Sequence, residues 1–143
     1  AEVTAAAVAE REYFELLDEG GYAFIRCSPA RGDADVHAGA DGAVAAAAAA
    51  AAAQAQRWMD RGMLLAWGFN HEEALHCFAK ARSVPGVGAA CRAMAHWASA
   101  YALCPNYNNP CMTAGELRTA AWHNATALEL LTPSAARGAG GGE

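Results

Sequence analysis

The chain has 143 residues and a formal net charge of −5. This length fits one small domain, and the acidic balance argues against non-specific nucleic-acid binding, which needs a basic surface facing the phosphates. No run of about 20 strongly apolar residues is present, so we expect no membrane span. Alanine inflates the apolar fraction of 55%. We therefore expect the core where large side chains concentrate, between Trp58 and Leu131.

The first 53 residues divide into a helix, a docking segment and a linker. Residues 3–18 carry a partial apolar stripe that predicts a helix, and the apolar segment 22–27 is either a short strand or a segment that docks on the core. Residues 28–43 have the composition of a linker. The alanine run 45–53 favours helix as a continuation of the helix that follows, and its composition is typical of low-complexity sequence with no specific role. The expected domain boundaries are 1–27, 28–53, 54–131 and a flexible tail at 132–143.

The N-terminus and the cysteines bear on the cellular compartment. The first residues do not resemble a secretory signal, and they are too acidic for a usual transit peptide. Five cysteines at irregular spacing, without a CxxC pair, do not resemble a disulfide framework. We therefore expect reduced thiols and a cytoplasmic location. The five are Cys27, Cys77, Cys91, Cys104 and Cys111.

Two helices are predicted between residues 54 and about 82. Gly62 inside the first helix costs about 1 kcal/mol against Ala, which predicts a close approach by a neighbouring helix. Gly68-Phe69-Asn70 ends this helix, and Asn70 with Glu73 has the pattern of a capping box for the second. The second helix is expected to bury a stripe at i, i+3, i+4 and i+7. Its members are Ala74, Cys77, Phe78 and Ala81.

Two more helices are predicted, at about 89–103 and from a Thr113–Glu116 capping box to Leu131. The Pro/Asn-rich loop 104–111 between them has the composition of a turn, and its amide side chains are alternatively a site for polar ligand groups. The packed positions expected in the third helix are Met94, Trp97, Ala98 and Tyr101. Those expected in the fourth are Ala121, Trp122, Ala125, Leu128 and Leu131.

The segment WMDRGMLLAWGFNHEEALHCFAKA, residues 58–81, resembles a tetratricopeptide repeat, a helix-turn-helix unit of about 34 residues. Arg61 departs from the usual Leu, and Pro85 comes one residue early. The resemblance implies an all-α fold of about two antiparallel αα-hairpin units, with an N-terminal helix and flexible flanks. The matching positions are Trp58, Gly62, Leu65, Ala74, Phe78 and Ala81 in the first unit, and Trp97, Ala98 and Tyr101 in the second.

The resemblance also implies a protein-interaction or scaffold module that binds a peptide or partner helix. The binding groove would be formed by the first helix of each unit, through Met59, Met63, Ala66, Trp67, Arg92, Ala95, Ser99 and Leu103. Met and Trp suit apolar binding surfaces. The alternative for Met59 and Met63 is packing on the N-terminal helix. The basic clamp that some family members use for C-terminal carboxylates is missing.

Other interpretations stay open from the sequence alone. A small metal-binding or enzymatic domain would use His71, His76, His96 and the loop 104–111, although the spacing favours side chains without a metal. We see no catalytic or cofactor-binding motif, so we expect neither an enzyme nor a cofactor. Self-association through an exposed last helix is a third possibility, since two units fall short of the three usually needed for a stable array. The sequence does not identify the protein partner.

Overall fold

The computed structural model describes Cys27 and residues 41–132. It contains α1 (Asp41–Trp67), α2 (His71–Ser83), α3 (Ala89–Leu103) and α4 (Ala114–Leu131). Consecutive helices pack against each other, and α1 also contacts α3. The described part of the chain is therefore all-α, as predicted. The helix predicted at 3–18, the segment 22–26, most of the linker and the tail from 133 lie outside the described residues.

Helix α1 begins at Asp41, well before the start predicted at residue 54. The alanine run is helical and continues into the following helix. The high helix propensity of alanine predicted this. The later residues of the run have a structural role, because Ala51 belongs to the main buried apolar cluster and Ala52 is also buried. The interpretation of the whole run as sequence with no specific role is therefore wrong. Residues 43–50 lie mostly exposed.

The α1–α2 interface is organised around Phe78, whose side chain is fully buried. A Cβ atom added at Gly62 would overlap the Phe78 ring and would lie 2.7 Å from Cδ1. Gly62 is therefore the point of close approach that its position inside a helix predicted. Helix α2 buries the four residues of the predicted stripe, Ala74, Cys77, Phe78 and Ala81.

The turn between α1 and α2 follows Trp67, where the sequence predicted the end of the helix. Phe69 adopts a φ of 61°, in the left-handed region, and the Asn70 N–H donates to the Leu65 carbonyl at 2.8 Å. The capping box predicted at Asn70 is not formed, because the Asn70 ψ of 67° is outside the extended conformation usual for a capping residue. Glu73 instead lies 3.7 Å from the guanidinium of Arg61 on α1.

The loop between α3 and α4 is a turn stabilised by Asn106. Its side-chain carbonyl accepts hydrogen bonds from the N–H groups of Asn108 and Asn109, at 2.9 and 3.1 Å. This supports the turn role over the ligand-binding alternative. At the start of α4, Thr113 and Glu116 form the predicted capping box, with reciprocal hydrogen bonds of 3.2 and 2.7 Å. These hydrogen bonds lower the pKa of Glu116 from its ordinary value.

Replacing Thr113 with Ala is expected to lower the free energy of unfolding by about 1 kcal/mol, because a helix N–H loses its acceptor. Urea unfolding followed by circular dichroism measures this change. Thr119→Ala is a matched control. The Thr119 hydroxyl is also on α4, and it donates a hydrogen bond to the carbonyl of Gly115 one turn earlier. Equal stability losses in the two variants would show that the capping box contributes no more than an ordinary exposed hydroxyl.

Cys27 and Cys91 form a disulfide that joins the segment before α1 to α3. The Cys27 N–H also donates to the side-chain carbonyl of Gln56. The expectation of five reduced thiols is therefore wrong for this pair. Their 64-residue separation is set by the fold and leaves no local pattern. The predicted cytoplasmic location loses the support that it drew from reduced thiols.

The other three cysteines are outside this disulfide, with Cys77 buried and both Cys104 and Cys111 exposed. Over residues 41–132, no helix combines the length and apolar character that crossing a lipid bilayer requires. The question of function turns on which faces of the four described helices remain uncovered.

Candidate interaction surface

The α1 side chains predicted to face a groove are mostly in the core. Met59, Met63 and Ala66 are buried in the main apolar cluster, so they do not line an open surface. Trp67, at the end of α1, is 52% exposed. The predicted groove assignment is therefore corrected for the three buried residues. Burial of the two methionines agrees with the packing alternative, although the helix 3–18 that they were expected to contact lies outside the described residues.

The predicted groove residues of α3 are also divided. Ala95 and Ser99 are buried, and the Ser99 hydroxyl donates to the Ala95 carbonyl at 2.8 Å. The Arg82 guanidinium of α2 donates to the same hydroxyl at 3.2 Å. Arg92 is exposed and Leu103 is partly buried. Because this face of α3 packs toward α2, it does not form a continuous open groove with α1.

The positions that the resemblance assigned to the first unit are buried or partly buried. Trp58, Gly62, Ala74, Phe78 and Ala81 are buried, and Leu65 packs against the cluster from a partly buried position. In the second unit Ala98 is buried, but Trp97 and Tyr101 are each 43% exposed. Their rings stack on each other with centroids 5.9 Å apart. The expected core positions are wrong for this pair, because α3 turns Ala95, Ala98 and Ala102 to the core instead.

Helix α4 buries a different face from the one predicted. Ala120, His123 and Ala127 face inward, whereas the expected core residues Ala121, Trp122, Ala125, Leu128 and Leu131 are exposed. Small residues on α4 allow close packing on α3, which also presents buried alanines and His96. The larger apolar side chains of α4 therefore remain on the surface.

The α3–α4 interface contains a buried histidine pair that the sequence analysis did not predict. The Nδ1 atoms of His96 and His123 are 2.8 Å apart, so one Nδ1–H donates to the other ring, which must be neutral to accept. The Trp122 ring packs on His96 with centroids 5.3 Å apart. His96 was considered as a metal ligand and His123 was overlooked. Two histidines 27 residues apart in the sequence give no local signal of contact.

Burial and nearby cations lower the pKa of both rings. Desolvation acts first on His123 and is reinforced by Arg82 and His96, which together lower its pKa to about 4. Burial, Arg82 and Arg92 lower the pKa of His96. The pair is therefore neutral at pH 7 and carries a hydrogen bond between two helices.

The residues of the metal or enzyme alternative do not assemble into one site. His71 lies near the loop, in a pocket of about 370 Å³ that also includes Cys104 and Glu116. His76 is exposed, and His96 contacts His123. Within residues 41–132, no three His, Cys, Asp or Glu side chains are close enough together to hold a metal ion. Both ring nitrogens of His71 are shielded and lack a hydrogen-bond partner.

An apolar groove of about 460 Å³ runs between α3 and α4. Its lining is formed by Ala93, Met94, Trp97, Asn124, Ala127, Leu128 and Leu131. Leu128 is 67% exposed, so much of this surface is open to water. Exposed contiguous apolar surface of this kind is typical of sites where proteins bind other proteins.

Comparison with known proteins gives no family assignment. No protein-family model matches the sequence, and neither the curated proteins nor the solved structures include a match.

Proposed function

We propose that this chain is a helical protein-interaction module of tetratricopeptide-like build, with α1–α2 and α3–α4 as its two αα-hairpin units. The module binds a partner helix in the apolar groove between α3 and α4. This moves the binding surface from the predicted first-helix groove to the second unit, because Met59 and Met63 are buried.

The observation that carries the proposal is the uncovered α3–α4 face. In the first unit, α3 packs on α2 and contacts α1, so a helix covers the α1–α2 pair. Among the described helices none covers the α3–α4 pair in the same way, since α4 contacts α3 alone. A groove lined by Met94, Trp97 and Leu128 has the side chains that accept the apolar stripe of an incoming helix.

Site-specific photocrosslinking tests this proposal. With a photoreactive phenylalanine at Leu128, we expect crosslinks from a native lysate to a discrete protein, whose crosslinked peptide is identified by mass spectrometry. The matched control carries the same group at Val44, which is 69% exposed on α1 and far along the chain from the groove. The Met94→Glu change is expected to abolish the crosslink at Leu128, because it places a charge in the apolar groove.

Equal crosslinking at Leu128 and Val44 would count against a specific binding surface on α3 and α4. The same conclusion would follow if Met94→Glu left the crosslinked species unchanged while circular dichroism showed the protein to be folded. Loss of the species at Leu128 with unchanged background at Val44 supports the proposed groove.

A further inference from the structure

Helix α4 carries an exposed stripe with the spacing of a helix–helix seam. The stripe consists of Leu117, Ala121, Asn124, Leu128 and Leu131, which follow one another at intervals of four, three, four and three residues. Alternating steps of three and four place side chains along one side of a helix, the arrangement by which two helices pack along their length. All five are exposed, with Leu117 at 60% and Leu131 at 56%. We call these five residues the α4 seam.

The seam lies beside the face that α4 buries against α3. Ala120, His123 and Ala127 occupy the buried face, and three seam residues, Asn124, Leu128 and Leu131, also line the α3–α4 groove. A helix packed on the seam would therefore contact Met94 and Trp97 of α3 on one flank. This makes the seam and the groove one continuous surface for a single incoming helix.

The seam is complementary to a second copy of itself in the antiparallel direction. Asn124 stands at its centre, with two seam residues on each side. In a pair related by a two-fold axis at Asn124, Leu117 faces Leu131 of the second copy, and the small Ala121 faces Leu128 of the second copy. The two Asn124 side chains meet at the axis, where each amide donates to and accepts from the other. Such self-complementarity is what an isologous two-fold interface requires.

Charges on the remaining flank favour the same direction. Arg118 and Glu129 are both exposed and are eleven residues apart, about three helical turns, so they lie on the same side of α4. Antiparallel pairing about Asn124 brings Arg118 of one copy level with Glu129 of the other, twice by symmetry. In a parallel pair, the flanks of the two copies that carry Arg118 and Glu129 would lie on opposite sides of the helix pair. Arg118 of one copy would then not contact Glu129 of the other.

We propose that the helix bound in the α3–α4 groove is α4 of a second copy of this chain, packed antiparallel about a two-fold axis at Asn124. This inference rests on the proposed function, because it names the partner of the same groove. Three features of the surface carry it: the three-four seam, the pairing of small with large residues about Asn124, and the opposite charges of Arg118 and Glu129. The product is a dimer whose centre is an antiparallel α4 pair.

Sedimentation equilibrium of the full chain tests the dimer. A Cys104→Ser/Cys111→Ser background removes the two exposed thiols, so that disulfides between copies do not contribute. We expect a reversible dimer at micromolar concentrations, and a dissociation constant at least about 100-fold weaker in Leu128→Asp, which buries two charges in the interface. Val44→Asp is the matched control and is expected to dimerise like the parent protein, since Val44 is exposed on α1.

Charge reversal tests the direction of the helices. Arg118→Glu is expected to weaken the dimer about tenfold, because it converts two attractive contacts into repulsive ones. The double variant Arg118→Glu/Glu129→Arg restores opposite charges across the antiparallel pair and is expected to recover the parent affinity. A double variant no tighter than Arg118→Glu overturns the antiparallel register.

The remaining outcomes separate this inference from the proposed function. A monomer at all concentrations, combined with a Leu128 crosslink to another protein, overturns the second-copy inference and leaves the interaction module. A monomer with no specific Leu128 crosslink overturns both. A dimer that Leu128→Asp leaves intact also overturns the inference, because the interface then lies elsewhere.

Discussion

The Gly62→Ala variant is expected to unfold with a free energy about 2 kcal/mol lower than the parent protein. The added methyl group overlaps the ring of Phe78, and this ring is fully buried. Overpacking of this kind costs about 3 kcal/mol, whereas the gain in helix propensity from Gly to Ala returns only about 1 kcal/mol. Urea unfolding followed by circular dichroism measures the difference.

Two variants decide whether the contact with Phe78 is the cause. Gly42→Ala makes the same change in the same helix at a position where the new Cβ atom meets nothing within 4 Å among the described residues, its own helix backbone aside, and we expect it to leave stability unchanged or slightly raised. The double variant Gly62→Ala/Phe78→Leu, compared with Phe78→Leu alone, is expected to show little further loss, because the smaller side chain makes room. If Gly62→Ala were as stable as Gly42→Ala, α1 and α2 would have to lie further apart than described.

Acidification from pH 7 to pH 4 is expected to remove about 3 kcal/mol of stability through His123 alone. The pKa of His123 is lowered to about 4 in the folded protein, against about 6.5 in the unfolded chain. Between these two pKa values the unfolded chain is protonated at His123 and the folded protein is not. Protonation therefore stabilises the unfolded state and lowers the free energy of unfolding. The contribution is complete above pH 6.5 and disappears as the pH falls toward 4.

The His123→Gln variant isolates this effect, because Gln retains a hydrogen-bonding group toward His96 without the low-pKa imidazole. We expect the pH dependence between 6.5 and 5 to become shallower, with the contribution of His96 remaining, in urea titrations monitored by tryptophan fluorescence, to which Trp122 beside His96 contributes. His76→Gln, at an exposed position, corrects for the loss of a histidine elsewhere. A slope shared by the parent and His123→Gln would assign the acid sensitivity to other groups.

The parts of the fold that sequence predicted are those fixed by local pattern. The buried stripe of α2 follows from its 3.6-residue periodicity, and the Thr113–Glu116 box follows from side chains three residues apart. Gly62 was informative because a glycine inside a helix needs a compensating close contact. These inferences used only residues within one or two turns of each other.

The face of α4 was not predictable in the same way. Apolar residues occur on several sides of this helix, so periodicity alone did not identify the side that α3 covers. Helix α3 covers Ala120 and His123 and leaves Trp122 and Leu128 exposed, and this selection depends on the partner helix. The candidate surface was first placed on the first helix of each unit because the repeat resemblance implied a groove there.

Pairs distant in sequence were missed for a related reason. The His96–His123 contact joins residues that are 27 positions apart, and the Cys27–Cys91 disulfide joins residues that are 64 positions apart. Each depends on how whole helices pack, and no spacing rule within one segment reports it. Sequence therefore predicted most helices and one interface, while the site and the cross-links required the three-dimensional arrangement.

Helix α1 has a consequence for hydrogen exchange that follows from its two unequal halves. The residues from Ala51 onward pack on the other helices, whereas residues 43–50 lie mostly in water and depend on alanine propensity. A helical segment of this length is marginal on its own. Its amide protons should therefore exchange through local fraying, with protection rising steeply near Ala51. The continuous helix α1 would then behave in solution as two segments of different lifetime.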